Sequence, residues 1–205
     1  MSRFVRTAAC MVMLGGTALA QPAPTAPPKI VLGTADPMLA PAGSYALDPS
    51  HTAVVSRISH IGYSFSIFRF GKVTGSLTWD PKTPAHSKLS ATVETASIET
   101  PVAGFASELA GAKYLNSAAY PEAKFEATAF RPTDTTHGKV DGTFTLMGKT
   151  KPVTFDVTLV GAGPGFFGHP RMGVHAETTI NPQDYGLPAL FGNATALVID
   201  SEFVK

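Results

Sequence analysis

The chain has 205 residues, with 16 Lys and Arg against 15 Asp and Glu, a formal net charge of +1 and a single cysteine. This length fits one globular domain, or at most two small ones. The near balance of charge, with no long basic run, argues against a nucleic-acid-binding protein, which needs clustered cations. One cysteine excludes a disulfide scaffold, and no segment reaches the roughly 18 apolar residues that a membrane-spanning helix needs.

The first twenty residues have the pattern of a secretory signal peptide. Arg3 and Arg6 provide a positive start, a short apolar stretch follows over 7–19, and Ala18-Leu19-Ala20 has the form of a signal-peptidase site. We predict export with cleavage after Ala20. The alternatives are a short membrane anchor and lipoprotein processing at Cys10. Cleavage removes Cys10, so the mature chain would have no thiol chemistry.

Residues 21–43 are rich in proline, with six in this segment. Such spacing favours an extended chain over packed structure. We therefore predict a linker over 21–43, followed by one domain over 44–205.

The domain is predicted to be all-β. Short runs of Val, Ile, Thr and Phe alternate with Gly, Pro, Asp and Asn, which is typical of antiparallel strands joined by hairpins. One stretch, 102–115, has helical spacing. Closure into a barrel removes exposed sheet edges and is favoured by this number of strands. The predicted strands are 44–48, 53–61, 72–80, 88–98, 123–131, 139–147, 153–160, 173–180 and 196–204.

Alternation along the strands predicts which side chains face the interior. Arg57 should face solvent, so Val54, Ser56, Ile58 and His60 should face inward. The same rule places four residues of each of three further strands on one face, and all of them are apolar or glycine. A barrel of about eight strands either fills itself with side chains or holds one small ligand, and both alternatives are open at this point. The three further faces are Val73, Gly75, Leu77 and Trp79; Val140, Gly142, Phe144 and Leu146; and Val153, Phe155, Val157 and Leu159.

A series of motifs in the domain resembles the YceI-like family, in order and at similar spacing. The resemblance covers nearly all of 44–205. The motifs lie at 45–51, 59–62, 69–70, 75–81, 96–100, 114–116, 120–125, 146–153 and 179–187.

This resemblance implies an exported, periplasmic protein with a lipocalin-like antiparallel eight-stranded barrel and one short helix. It also implies a long apolar pocket for a polyisoprenoid or another long-chain amphiphile. Two departures bear on the chain length and headgroup of the ligand. Ser56 stands where many members have an aromatic residue, and the segment 188–193 is shorter than usual and lacks a common tryptophan.

The sequence lacks motifs for catalysis or metal binding. The six histidines show no His-x-His or His-Glu-x-x-His spacing, although a metal site built from distant residues is left open. Asp48 and His51 are better explained by a turn between the first two strands than by a catalytic triad, with Asp48 accepting local backbone N–H groups. The segment 148–151 is a hairpin turn rather than a phosphate loop, since no helix follows it.

Two residues have alternative interpretations. His60, if inward, needs a hydrogen-bonding partner, and we favour a structural partner over a ligand headgroup. Arg69 lies in an aromatic-rich connection over 65–70 that either covers one barrel end or contributes to the pocket mouth. Solvation at the surface is the favoured interpretation for its guanidinium.

The resulting hypothesis is a non-enzymatic binding, transport or storage protein for an isoprenoid quinone, a polyprenyl phosphate or a fatty amide. The alternatives are an enzyme acting on such a lipid and an interaction module with a filled barrel. We predict no metal and no cofactor other than the bound lipid, no nucleic acid and no membrane span; a homodimer is left open. The residues predicted to line the apolar pocket are Val54, Ile58, His60, Phe65, Phe68, Phe70, Leu77, Trp79, Phe125, Phe144, Phe155 and Val157.

Overall fold

The computed structural model describes residues 31–165, 168–192 and 194–205. The predicted signal peptide and the first part of the predicted linker, 21–30, lie outside the described residues. Among the described residues, the domain has ten strands and one short α-helix, α1 (Phe105–Ala110). The strands are β1 (Gly43–His60), β2 (Ser64–Phe70), β3 (Val73–Trp79), β4 (Lys88–Glu94), β5 (Ile98–Glu99), β6 (Glu122–Pro132), β7 (His137–Leu146), β8 (Lys149–Gly163), β9 (Arg171–Ile180) and β10 (Thr195–Val204).

Eight of these strands form a closed antiparallel barrel, as predicted. The order around the barrel is β1, β3, β4, β6, β7, β8, β9 and β10, and pairing between β10 and β1 closes it. The other two strands extend the sheet at one end, where β2 pairs with the second half of β1 and β5 pairs with β2. Every ladder is antiparallel, so sequential strands are joined mainly by short turns.

Strand β1 corrects the prediction of two strands separated by a turn. Asp48 pairs with Glu202 and Ala53 pairs with Asp200, so 49–52 form a bulge opposite one residue of β10. The Asp48 carboxylate accepts the backbone N–H of Ser50 at 2.9 Å, as predicted. The Thr52 hydroxyl donates to the Asp48 carbonyl at 2.8 Å. These local bonds give polar groups of the bulge hydrogen-bonding partners, so the strand continues through it.

Strand β2 was predicted to be a connection, and this was wrong. Its sequence carries Phe65 and Ile67 on one face and Phe68 and Phe70 on the other, so it has no apolar and polar alternation to reveal a strand. The predicted helix over 102–115 is also shorter. Gly104 precedes it at φ 78°, and the chain leaves the helix at Gly111.

The end of the predicted linker packs against the barrel. Thr34 exchanges two backbone hydrogen bonds with Ala162, at 3.0 and 2.7 Å. Ala40 is completely buried, beside Tyr45 and Leu47. In the described part of the chain, no helix has the length and apolar character required to cross a bilayer.

Candidate functional site

The barrel encloses an apolar cavity of about 470 Å³. Its wall is made of the inward-facing side chains that strand alternation predicts. Ten of the twelve residues predicted to line a pocket lie in this wall; whether they bind a ligand stays a prediction. These ten are Val54, Ile58, Phe68, Phe70, Leu77, Trp79, Phe125, Phe144, Phe155 and Val157.

The other two predicted residues, His60 and Phe65, lie outside the cavity. The last residue of β1 that pairs with β10 is Ile58, opposite Thr195. His60 therefore extends beyond the barrel rim and is exposed, although it has the inward parity. Phe65 lies on the outer face of β2, with the Arg57 guanidinium carbon 4.7 Å from its ring centroid.

One end of the cavity is closed by a group of aromatic side chains. The rings of Tyr114 and Phe191 meet edge to face at 5.4 Å, and those of Phe144 and Tyr185 do so at the same separation. Leu109 of α1 adds an aliphatic side chain to this end. Burial raises the pKa of Tyr185, so its phenol is neutral at physiological pH. We call this the capped end.

The opposite end, which we call the mouth, carries the charged residues of the β6–β7 hairpin. Arg131 binds Asp141 with two hydrogen bonds of 2.6 Å, and Lys139 is paired with Asp156. The Asp134 carboxylate accepts the backbone N–H of Thr136 at 2.7 Å, and such bonds hold its pKa at about 2. The charges of the mouth are therefore satisfied by neighbouring protein groups.

The polar side chains in the wall are few. The Thr52 and Ser201 hydroxyls lie 3.0 Å apart, and Thr95 donates to the Tyr120 carbonyl at 2.8 Å. Ser56 is 8% exposed and lines the cavity. Its small side chain leaves space that an aromatic residue at this position would fill.

The described wall contains no arrangement suited to nucleophilic catalysis. Asp134, Thr136 and His137 at the mouth superficially resemble a triad. However, both the Thr136 hydroxyl and the Asp134 carboxylate contact the same ring nitrogen of His137, Nδ1, at 3.0–3.1 Å. A relay uses the two ring nitrogens for different partners. This group is therefore a hydrogen-bonded turn.

The described residues bring together one cluster with metal-ligand chemistry, Asp48, His51 and Glu202. The guanidinium of Arg171 donates to Asp48 at 2.8 Å and to Glu202. A cation already bridges the two carboxylates, so the cluster is an ion-pair network on the barrel exterior.

Sequence reasoning missed two parts of the wall. Met172, Val174 and Ala176 of β9, and Leu197 and Ile199 of β10, face the cavity and follow the same alternation rule that found the others. Apart from Phe144 of β7, the residues of the capped end could not be found by this rule. They lie in α1 and in the turns, where direction depends on long-range packing.

Comparison with known proteins gives a consistent assignment. The sequence model of the family described as the YceI-like domain matches residues 45–203. A UPF0312 protein of Pseudomonas putida strain W619 is 39% identical over 168 residues, which cover 80% of this chain and 88% of the relative.

Two solved structures have the same fold. Burkholderia cenocepacia BcnA superposes with a TM-score of 0.68 at 19% identity, covering 76% of this chain and 98% of BcnA. A polyisoprenoid binding domain from Saccharophagus degradans, implicated in plant cell wall breakdown, gives a TM-score of 0.58 at 13% identity, covering 78% of this chain and 97% of the domain. At these identities the likeness concerns the fold alone. With the family match over 45–203 and the relative at 39% identity, the chain belongs to the YceI-like family.

Proposed function

We propose that the protein binds one long apolar chain inside the barrel and carries or sequesters it in the periplasm. The observation that carries this proposal is the cavity of about 470 Å³, lined by apolar side chains and closed at the capped end. An apolar chain gains roughly 25 cal/mol for each Å² it removes from water, so binding needs few polar contacts. The fold shared with a polyisoprenoid binding domain supports an isoprenoid chain as the ligand class.

The charge pairing at the mouth supports a ligand with an uncharged headgroup. Arg131 and Lys139 are the Arg and Lys residues among the described cavity residues, and each already binds an aspartate. A phosphate would have to displace Asp141 or Asp156 from its partner. Both ion pairs are largely exposed and each is worth only about 0–1 kcal/mol, so they give an isoprenoid quinone or a fatty amide a small advantage over a polyprenyl phosphate.

The periplasmic location rests on the signal-peptide pattern of residues 1–20. The non-enzymatic role is supported by the described cavity wall, where Asp134, Thr136 and His137 form a hydrogen-bonded turn at the mouth. Two buried polar groups of the described wall, the Trp79 indole N–H and the Thr195 hydroxyl, have no hydrogen-bond partner in the protein. An enzyme acting on the same lipid would be supported instead by turnover of a bound isoprenoid.

The test is to identify what the protein carries. The protein is purified from the periplasm of its own organism, analysed by native mass spectrometry and extracted with organic solvent. We expect one long-chain lipid per chain. Protein that carries no lipid, and that takes up no added isoprenoid quinone, would overturn the proposal in favour of a filled barrel.

A matched pair of variants locates the bound lipid. Ala176 faces the cavity from β9, whereas Ala196 of β10 lies opposite the outward residue Arg57. Ala176→Leu should reduce lipid occupancy or select a shorter chain, because it fills part of the cavity, and Ala196→Leu should change neither. Circular dichroism spectra establish that both variants fold. Equal lipid content in folded forms of both variants would place the lipid elsewhere.

A further inference from the structure

Five large apolar side chains are exposed around the β1–β2 hairpin and the loop before α1. The exposed fraction is 88% for Tyr63, 78% for Ile61, 59% for Phe65 and Val102, and 44% for Ile67. We call these five residues the hairpin patch. Exposed apolar side chains that cluster in this way mark an interaction surface more often than isolated ones do.

The turn between β1 and β2 carries part of the hairpin patch, and its backbone is strained. Ile61 has φ 50°, a conformation that is costly for a β-branched residue, and Gly62 follows at φ 82°. The backbone N–H of Tyr63 donates to the His60 carbonyl at 3.0 Å and closes the turn. This tight turn places Ile61 and Tyr63 at the tip of the hairpin, where both are exposed.

Positive charge borders the patch. Arg57 lies over the Phe65 ring, 4.7 Å from its centroid, and Arg69 lies 3.7 Å from Glu99. Aromatic and aliphatic side chains next to arginines are typical of protein surfaces that rest at the interface of an anionic bilayer.

The patch also adjoins the capped end of the cavity. Phe65, Ile67 and Val102 line an external groove together with Phe68 and Phe105. Phe68 lines the cavity as well, and its ring centroid lies 6.3 Å from that of Phe105. Phe68 therefore belongs to the linings of both the external groove and the internal cavity.

We infer that the hairpin patch docks on the surface of an anionic lipid bilayer, with the capped end of the cavity toward the lipid and the mouth away from it. Docking is measured separately from the ligand binding proposed above. The partner of the hairpin patch is therefore an anionic bilayer, and the docking surface lies outside the cavity.

A second copy of the chain is the main rival occupant. β2 pairs with β5 only through Arg69 and Phe70, so 64–68 leave one edge of β2 unpaired by β5. Pairing two copies along this edge would bring together two Arg57 and two Arg69 side chains against two Glu99 carboxylates. The excess of positive charge disfavours this dimer and is complementary to anionic headgroups.

The experiment measures co-sedimentation with vesicles of phosphatidylcholine containing phosphatidylglycerol, and with vesicles of phosphatidylcholine alone. The test variant is Ile61→Ser combined with Tyr63→Ser. The control is Val160→Ser, which removes another exposed apolar side chain, 64% exposed, from β8. We expect wild type and the control to bind the anionic vesicles, and the double variant to bind about tenfold more weakly.

Three results would overturn the inference: no binding of wild type, equal binding by the double variant, or a dimer in sedimentation velocity that the double variant abolishes. Uptake of a short-chain quinone in vesicle-free solution is measured in parallel and should be equal in all three proteins. If that uptake is absent while vesicle binding persists, the proposed cavity function fails and the docking surface stands.

Discussion

Asp48 shows how one carboxylate supports an irregular part of the barrel wall. It accepts the backbone N–H of Ser50 within the bulge, and its other oxygen lies 2.9 Å from His51 Nδ1 and 2.8 Å from Arg171. Arg171 also binds Glu202, and this second bond raises the pKa of the guanidinium. The bulge of β1 is thereby tied to β9 and β10. The hydrogen bond with His51, helped by the Ser50 N–H and Arg171, lowers the pKa of Asp48 from 3.8 to about 2.

This shift gives a pH-dependent contribution to stability. Because the pKa is lower in the folded state, the contribution is fully present above about pH 4 and is lost as the pH falls toward 2. We expect Asp48→Asn to be less stable than wild type at neutral pH, with the difference shrinking between pH 4 and 2. Urea unfolding midpoints across this range provide the measurement. If the difference in urea midpoint between wild type and Asp48→Asn stays constant down to pH 2, the lowered pKa of Asp48 is wrong.

At the scale of elements, the β6–β7 hairpin depends on a glycine that permits close packing. A Cβ added to Gly142 of β7 would lie 2.4 Å from the Phe125 ring and 2.5 Å from the carbonyl oxygen of Glu126 on β6. The Phe125 ring packs edge to face on Phe155 at 5.0 Å within the cavity wall. The absence of a side chain at 142 therefore determines where a wall residue lies.

We predict that Gly142→Ala lowers the free energy of unfolding by about 1–3 kcal/mol, since the ring and the backbone must both move. The control is Gly173→Ala on β9, where the nearest atom to an added Cβ is 3.8 Å away. That variant should be neutral or slightly more stable. Denaturant unfolding measures both, and an equal loss in the two variants would show that the effect is generic to glycine replacement in strands.

The elements also show what sequence can predict. Strands with one polar face, such as β3 and β7, were predicted nearly at their observed bounds, and the cavity wall followed from the same alternation. β2 was missed because it is apolar on both faces, one toward the cavity and one toward the hairpin patch. His60 was placed inward because parity cannot show where the neighbouring strand ends. The capped end depends on packing between α1 and distant turns, which no local pattern encodes.

For the whole molecule, the pairing of β1 with β10 brings the two ends of the barrel domain together. Ala46 pairs with Val204, and the Lys205 ammonium donates to the Ala42 carbonyl at 2.7 Å. Both ends of the domain therefore lie at the same seam. If these ends were joined and the chain were opened at another turn, the order of the strands around the barrel would not change.

This closure predicts that a circular permutant will fold. A linker joins Lys205 to Gly33, so that the packed segment 34–41 is kept, and the new ends lie in the β7–β8 turn between Met147 and Gly148. We expect a cooperative urea transition and retained lipid content, because no strand is cut. A matched permutant opened inside β8, between Val157 and Thr158, should fail to fold. Failure of the first permutant would show that chain order is needed for closure.

The seam between β1 and β10 also has a consequence for the timing of ligand binding. A polypeptide that crosses a membrane in the unfolded state from its amino terminus delivers β1 first, and β1 has no partner on its β10 side until Thr195–Val204 follow. A half-finished barrel is an open sheet with an apolar face and no enclosed volume. With export in the unfolded state, the cavity forms only in the compartment where translocation ends, so the protein arrives there empty and can be loaded only from lipids present in that compartment.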